Sequence, residues 1–275
     1  GVLMAPVDSF WARVGRCSRL ACDLLLGRGG HDLGDYAAYL RKSLVRESPV
    51  HCVLCGRDSS AFIERPAPDP ALLCPACGSV GRWRAFGRYL EENADWIAGV
   101  SIALAVSYSP GLHEVLARRL GPRLTTIDIA PGEHVDLVAD CTRLAFPDSC
   151  FDLILHSHVL EHVSDDVSAL REAHRVLKPG GRLVFNVPFE NILRRGVLSP
   201  ESIGARHYHG GGEERNEVRR CYSINGLKER IARSAPFRVR EVTYEGLAYH
   251  RLPYRGRMFK DILWELTKAP PPAGK

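Results

Sequence analysis

Residues 140–188 constrain the fold of this chain more than any other stretch. They read DCTRLAFPDSCFDLILHSHVLEHVSDDVSALREAHRVLKPGGRLVFNVP. The short apolar run Phe151–His156, bounded by Asp148 and Ser149, has the composition of a strand buried on both faces. A helical pattern follows. Ser164 stands as its N-cap, and Asp165 and Asp166 fall in the first turn, where negative charge suits the helix dipole. Val167, Leu170, Ala173, Val176 and Leu177 recur at helical spacing. Lys178-Pro179-Gly180-Gly181 stops the helix, and Arg182–Val187 gives a second buried strand. Strand, helix and strand in so few residues make a βαβ unit with a right-handed crossover. At 275 residues the chain has room for one large α/β domain built on such units, plus a small module.

The apolar content of 45% is enough for a substantial core. No run of about 18 apolar residues occurs, which argues against a membrane span. The first residues lack the basic head, apolar centre and cleavage site of a secretory signal, so the expectation is a cytoplasmic protein with reduced cysteines. Charge is unevenly spread. Residues 91–190 hold 15 acidic and 8 basic side chains, whereas residues 191–275 hold 17 basic and 9 acidic ones. The basic third reads either as a solvated surface or as a surface that meets an anionic substrate.

Four of the nine cysteines form Cys52-x-x-Cys55 and Cys74-x-x-Cys77, separated by 18 residues. Each CxxC turn points two thiolates at one locus, and two turns complete a tetrahedron around Zn²⁺. Gly56 and Gly78 follow the knuckles and permit a tight backbone there. Nothing in the set leaves an open coordination position, so such a zinc is structural. Residues 49–80 are thus expected to be a zinc ribbon. Before it, residues 1–48 carry apolar helical faces (Phe10, Trp11, Val14 and Leu24 on the first). After it, residues 81–100 are expected to form a linker helix with Trp83, Phe86, Tyr89 and Leu90 on an apolar stripe. Arg82, Arg84 and Arg88 interleave with that stripe. It reads as a helix packed by its aromatics and solvated by its arginines, or as a surface on which nucleic-acid bases stack.

The segments FPDSCFDLIL, HVLEHV and REAHRVLKPGGRL closely resemble the middle of class I S-adenosylmethionine-dependent methyltransferases. The resemblance extends with falling clarity over residues 101–268. It implies an α/β fold, a doubly wound, seven-stranded, mostly parallel sheet of Rossmann-like type. Ile102–Val106, Leu124–Ile129 and Val135–Ala139 would be its first three strands. Phe237–Thr243 and Ile262–Lys268 would form its closing antiparallel pair. It also implies a cofactor, S-adenosyl-L-methionine, held by Ser107, Tyr108 and Gly111 in the first turn, by Asp128 at the ribose hydroxyls with Ile129 beside it, by Asp140 and Cys141 at the adenine ring, and by His156. The family's first turn is glycine-rich so that backbone approaches the cofactor closely. Here Gly111 stands alone, as in a subgroup of zinc-ribbon methyltransferases that this chain resembles. The helix N-terminus after that turn still offers free N–H groups to a carboxylate.

His158 and His162 are the candidates for a general base, with structural packing as the competing role. The string His158-Val-Leu-Glu161-His162 also fits a zinc-peptidase pattern. Its position directly after a strand, with no third ligand, argues against that. Residues 189–222 form an insertion that lines the acceptor pocket in the resembled family. His207, Tyr208, His209 and Arg219 are the candidate acceptor contacts, and residues 269–275 read as a disordered tail. The expected reaction is methyl transfer to a small-molecule acceptor, anionic or sugar-containing. An RNA methyltransferase and a non-catalytic binding module are the alternatives.

Overall fold

The computed structural model describes residues 50–60, 62–65, 71–107, 110–187, 207–208, 217–220, 222–244 and 262–270. The helical segment expected over residues 1–48 lies outside the described residues, as do Tyr108, His209 and residues 271–275. Residues 49–275 form one compact unit.

The unit begins with two hairpins. β1 (Val50–Cys52) pairs antiparallel with β2 (Arg57–Ser59), and β3 (Ile63–Arg65) with β4 (Ala71–Leu73). The chain reverses after each CxxC pair through Gly56 and Gly78, whose φ values of 66° and 70° suit glycine. Their N–H groups donate to the Cys52 and Cys74 carbonyls, each at 2.8 Å.

The expected single linker helix is two helices, α1 (Gly81–Glu92) and α2 (Ala94–Ala98). Asn93 makes the break, since its Nδ2 donates to the Tyr89 carbonyl at 2.8 Å and so closes α1. The expectation that arginines solvate this helix fails for Arg84, which is fully buried. Its guanidinium lies over the Phe62 ring at 4.1 Å and donates to the Ser79 carbonyl. Gly87 lets Leu54 of the ribbon approach α1; a Cβ there would lie 2.1 Å from the Leu54 side chain.

The main sheet follows with β5 (Ala103–Val106), α3 (Pro110–Leu120), β6 (Leu124–Asp128), β7 (Leu137–Val138), β8 (Phe151–Ser157), α4 (Asp166–Val176) and β9 (Leu177–Asn186). Beyond these lie the small pair β10 (His207–Tyr208) and β11 (Glu217–Val218), then α5 (Ile224–Ser234), β12 (Phe237–Val242) and β13 (Leu263–Lys268). Seven strands stand in the order β12-β13-β9-β8-β5-β6-β7. All neighbours from β9 to β7 are parallel, and β13 is antiparallel to both β9 and β12. Numbered along the sheet from its first strand, this is the 3-2-1-4-5-7-6 order of the class I methyltransferase fold, as expected.

Alternating strand residues feed two cores. Leu153, Leu155 and Val184 pack under α1 and α3, with Phe86, Leu112 and Leu116. Ile154, Leu183 and Phe185 pack under α4 and α5, with Leu170 and Ile231. On the first face Glu265 is buried; Tyr89 Oη donates to it at 2.6 Å, as does Arg240 Nη2, also at 2.6 Å, and Arg182 Nη1 lies 3.4 Å away. This network ties α1 to the strand at the centre of the antiparallel end.

Three boundaries differ from expectation for physical reasons. The cap of α4 is Asp165, not Ser164: its carboxylate accepts from the Ser168 N–H at 2.9 Å. Asp166 is buried, accepting from Tyr222 Oη and Arg230 Nη1, each at 2.7 Å, so it docks α5 rather than only facing the helix dipole. Lys178-Pro179-Gly180-Gly181 interrupts β9 internally instead of preceding it. Leu177 already pairs with Phe151, and pairing resumes at Arg182 opposite Leu153. Gly180 has φ 79°, and a Cβ on Gly181 would lie 2.8 Å from the Lys178 carbonyl oxygen. β7 is two residues long, and Asp136 just before it uses its carboxylate to accept from the Thr126 N–H at 2.7 Å.

Candidate active site at the carboxyl edge

The register of the sheet sets one polar row. Val106 is level with Ile127 on one side and His156 on the other, and His156 is level with Phe185. One residue further along each strand, at the carboxyl ends, stand Asp128, Ser107, Ser157 and Asn186. Ligands of open α/β sheets bind outside this edge, at the point where strand order reverses, which here lies between β5 and β8. Four level side chains at a strand spacing of about 4.8 Å span about 14 Å.

Asp128 ends β6. Its Oδ1 accepts from the Ala130 N–H at 3.2 Å, and its carbonyl accepts from the Ala139 N–H at 2.9 Å. Ile129 beside it is 61% exposed, an apolar side chain left open at the edge. Ser107 has φ 69°, the left-handed conformation that a glycine normally supplies, and its N–H donates to the Ile127 carbonyl at 2.8 Å. Ser107 thus takes up that conformation without being a glycine. Gly111 serves another purpose: a Cβ there would lie 2.2 Å from the Trp83 ring, so the indole from α1 sits directly on the first turn of α3.

Asp140 Oδ1 accepts from both the N–H and the Oγ1 of Thr142, each at 2.8 Å. Burial pushes the Cys141 thiol up to about 12, so it is a neutral wall rather than a nucleophile. His156 and Ser157 belong to β8; only His158 lies past it. His156, expected as a cofactor contact, lies inside the sheet core rather than at its open edge. It is buried, stacked on Phe185 at 4.8 Å between ring centroids, and burial pushes its pKa down to about 3. It lines an apolar cavity under α4 with Val106, Cys141, Ile154, Leu170 and Leu183.

Beyond β8 the chain turns at His158, where φ is 55°. Glu161 is fully buried in that turn. His158 Nδ1 lies 3.2 Å and His162 Nε2 3.8 Å from its Oε1. Burial alone would raise the Glu161 carboxyl, but the His158 and His162 charges outweigh it and hold the pKa below the usual carboxylate range. His158 Nε2, on the far side of the ring, is buried without a hydrogen-bond partner among the described residues. β10 and β11 pair His207 with Val218 and Tyr208 with Glu217. Directly after β11, the Arg219 N–H donates to the Glu161 carbonyl at 2.8 Å, and Arg219 Nε to the His162 carbonyl at 3.1 Å. The structure thus joins Arg219 to the Glu161–His162 turn. Sequence reasoning missed Asn186, whose only signal is a polar residue interrupting the apolar run Leu183–Val187. It also missed Trp83 as a neighbour of Gly111.

In the ribbon, one sulfur each of Cys52, Cys55, Cys74 and Cys77 lies within 4.8 Å of all the others. Cys52 and Cys77 are 3.8 Å apart, as are Cys55 and Cys74. A metal–sulfur bond of about 2.3 Å gives a tetrahedral edge of about 3.8 Å. Ser79 Oγ lies 3.4 Å from Cys52 Sγ and 3.2 Å from Cys77 Sγ.

Residues 86–185 match the family model of the methyltransferase domain. The chain is 30% identical over 138 residues to the ubiquinone/menaquinone biosynthesis C-methyltransferase UbiE of Hahella chejuensis, covering 42% of this chain and 55% of that protein. It is 34% identical to the malonyl-[acyl-carrier protein] O-methyltransferase of Serratia marcescens, over 35% and 42% of the two chains. The chain spans about half or less of the length of these curated relatives. Among solved structures, a putative sarcosine dimethylglycine methyltransferase of Galdieria sulphuraria aligns with a TM-score of 0.48 at 15% identity, over 72% of this chain and 92% of that one. The sheet order is that of the class I methyltransferase fold, and the residues that match the methyltransferase-domain model run from within α1 to β9.

Proposed function

We propose that the protein is an S-adenosylmethionine-dependent methyltransferase acting on a small-molecule acceptor. The observation that carries this reading is the level row Asp128, Ser107, Ser157 and Asn186 at the carboxyl edge of a sheet in class I order. The β5–β6 end of this row fits the cofactor. Asp128 offers a carboxylate to two ribose hydroxyls, Ile129 offers an open apolar face to adenine, and the N-terminus of α3 faces the end where a carboxylate is welcome. When bound, the cofactor supplies an electrophilic methyl group on a sulfonium and leaves as S-adenosylhomocysteine. The chain supplies alignment and a dry site, and alignment alone lowers a barrier by several kcal/mol. Where the acceptor must lose a proton, the Glu161 carboxylate 3.2 Å from His158 Nδ1 favours the tautomer protonated there, which leaves Nε2 with the lone pair that takes the proton.

The four cysteines hold a structural Zn²⁺ in this reading. Cys52, Cys55, Cys74 and Cys77 supply all four ligands, so no position is open for substrate. Residues 49–80 act as the ribbon, 81–100 as its link, and 101–268 as the cofactor-binding domain with its insertion at 189–222. Burial of Arg84 and the seating of Trp83 on Gly111 use the basic-aromatic stripe for packing, which favours a small acceptor over RNA. Among the described residues no helix is long and apolar enough to cross a membrane. Titration calorimetry with S-adenosylmethionine tests the reading: saturable heat at micromolar to millimolar cofactor is expected, and no heat at millimolar cofactor overturns it.

A further inference from the structure

Asn186 is an unusual residue for its place. It is fully buried at the end of β9, and among the described residues neither its Oδ1 nor its Nδ2 has a hydrogen-bond partner. Its neighbour across the ladder, Ser157, has a buried Oγ that also lacks one. Buried amides and hydroxyls are nearly always paired, because an orphaned polar atom forfeits its water for nothing in return. Three orphaned atoms on adjacent strands, level at one sheet edge, call for a partner that the described residues do not supply.

Their position says which ligand that partner belongs to. Asn186 lies three strands, about 14 Å, from Asp128 along the row. That is further than the reach from ribose hydroxyls to a sulfonium methyl, so it belongs beyond the methyl group. We propose that Asn186 and Ser157 form the acceptor subsite and that they bind a neutral hydroxyl of the acceptor, as on a phenol or a sugar. This rests on the methyltransferase reading above and deepens it. The charge follows from the donor and acceptor inventory. A hydroxyl gives a proton to Asn186 Oδ1 and takes one from Nδ2 or from Ser157. A carboxylate or phosphate satisfies Nδ2 and places a lone-pair oxygen against Oδ1. An ammonium satisfies Oδ1 and leaves Nδ2 orphaned. The neutral hydroxyl replaces the anionic acceptor that the basic C-terminal third suggested.

Asn186→Leu in the full chain separates this from a structural role. Removing an amide orphaned at both ends raises Tm by about 2–8 °C in the ligand-free protein. Affinity for S-adenosylmethionine stays within about twofold of wild type. Saturation-transfer NMR on the S-adenosylhomocysteine complex, with millimolar catechol and benzoate as probes, shows catechol contact in wild type that Asn186→Leu abolishes. A lower Tm or an insoluble variant makes Asn186 a fold residue and overturns the proposal. So does a tenfold loss of cofactor affinity, which reassigns Asn186 to the cofactor and leaves the methyltransferase reading standing. Benzoate contact equal to or stronger than catechol contact, or no catechol contact, overturns the hydroxyl assignment. Ser157→Ala, a smaller change, carries the same three readouts should the Leu variant give too little protein for NMR. Failure of the wider reading looks different, because wild type then gives no heat with cofactor.

Discussion

Replacing Arg84 with methionine should loosen zinc in the proposed tetrathiolate site. Four thiolates around Zn²⁺ leave two net negative charges, and a buried site needs a compensating cation. Arg84 is fully buried, and its Nη1 lies 3.5 Å from Ser79 Oγ, which itself lies 3.2 Å from Cys77 Sγ. The guanidinium is therefore no more than about 7 Å from a ligand sulfur. At an effective dielectric constant of about 20, a unit charge at that range is worth about 2 kcal/mol, or about thirtyfold in affinity. Methionine keeps the apolar stem against Phe62 and removes the charge. Chelator competition should show zinc held at least about thirtyfold more weakly in Arg84→Met, with Arg84→Lys between the two. Metal-free wild type and variant should differ far less in stability, because without the dianion the buried guanidinium has little to offset. An unchanged zinc affinity in Arg84→Met would refute the charge argument, and a variant destabilised equally with and without metal would reduce Arg84 to a packing residue.

Asp128→Ala should weaken S-adenosylmethionine binding by about 1–3 kcal/mol, measured by calorimetry; unaltered affinity places the ribose contact elsewhere. Ser107→Gly relieves a left-handed residue and should raise Tm by about 2–4 °C; a fall in Tm means that the hydroxyl makes a contact worth more than the strain. His156 has a folded pKa of about 3 against an unfolded value near 6.5, so the unfolded state binds more protons between those pH values. Its contribution is whole above about pH 6.5 and drains away as pH falls toward 3. His156→Phe should flatten the stability profile by about 3 kcal/mol between pH 6.5 and 4 in urea titrations; an unchanged slope there refutes the buried-neutral assignment.

The parallel half of the sheet was legible because buried strands are written as apolar runs and their crossovers as amphipathic helices. Phe151–Ser157 and α4 follow almost directly from residue order. The edge strand β7 was legible only in part, since Leu137 and Val138 are half exposed and Asp136 takes over part of the ladder with its side chain. The clustering of Cys52, Cys55, Cys74 and Cys77 was legible from spacing alone. Asn186 was not, because one polar residue at the end of an apolar run looks like a strand terminus until register puts it level with Ser157 and Asp128. The burial of Arg84 and the Trp83 contact at Gly111 went unread for a shared reason. A buried arginine and a glycine fixed by an indole are decided by the neighbour that arrives in three dimensions, and neither Phe62 nor Trp83 is marked for that contact in the sequence.

Glu265 has a bearing on how the chain is made. It sits on β13, which is inserted between β9 and β12 yet emerges from the ribosome after both. Until it arrives, β9 presents a bare flank of hydrogen-bonding groups to any other extended segment, and the phenol of Tyr89 and the guanidinium of Arg182 have no carboxylate to hold. Synthesis thus passes through a stage with an open, sticky border, and the arrival of β13 both seals that border and locks the linker helix, more than 170 residues upstream, in one step.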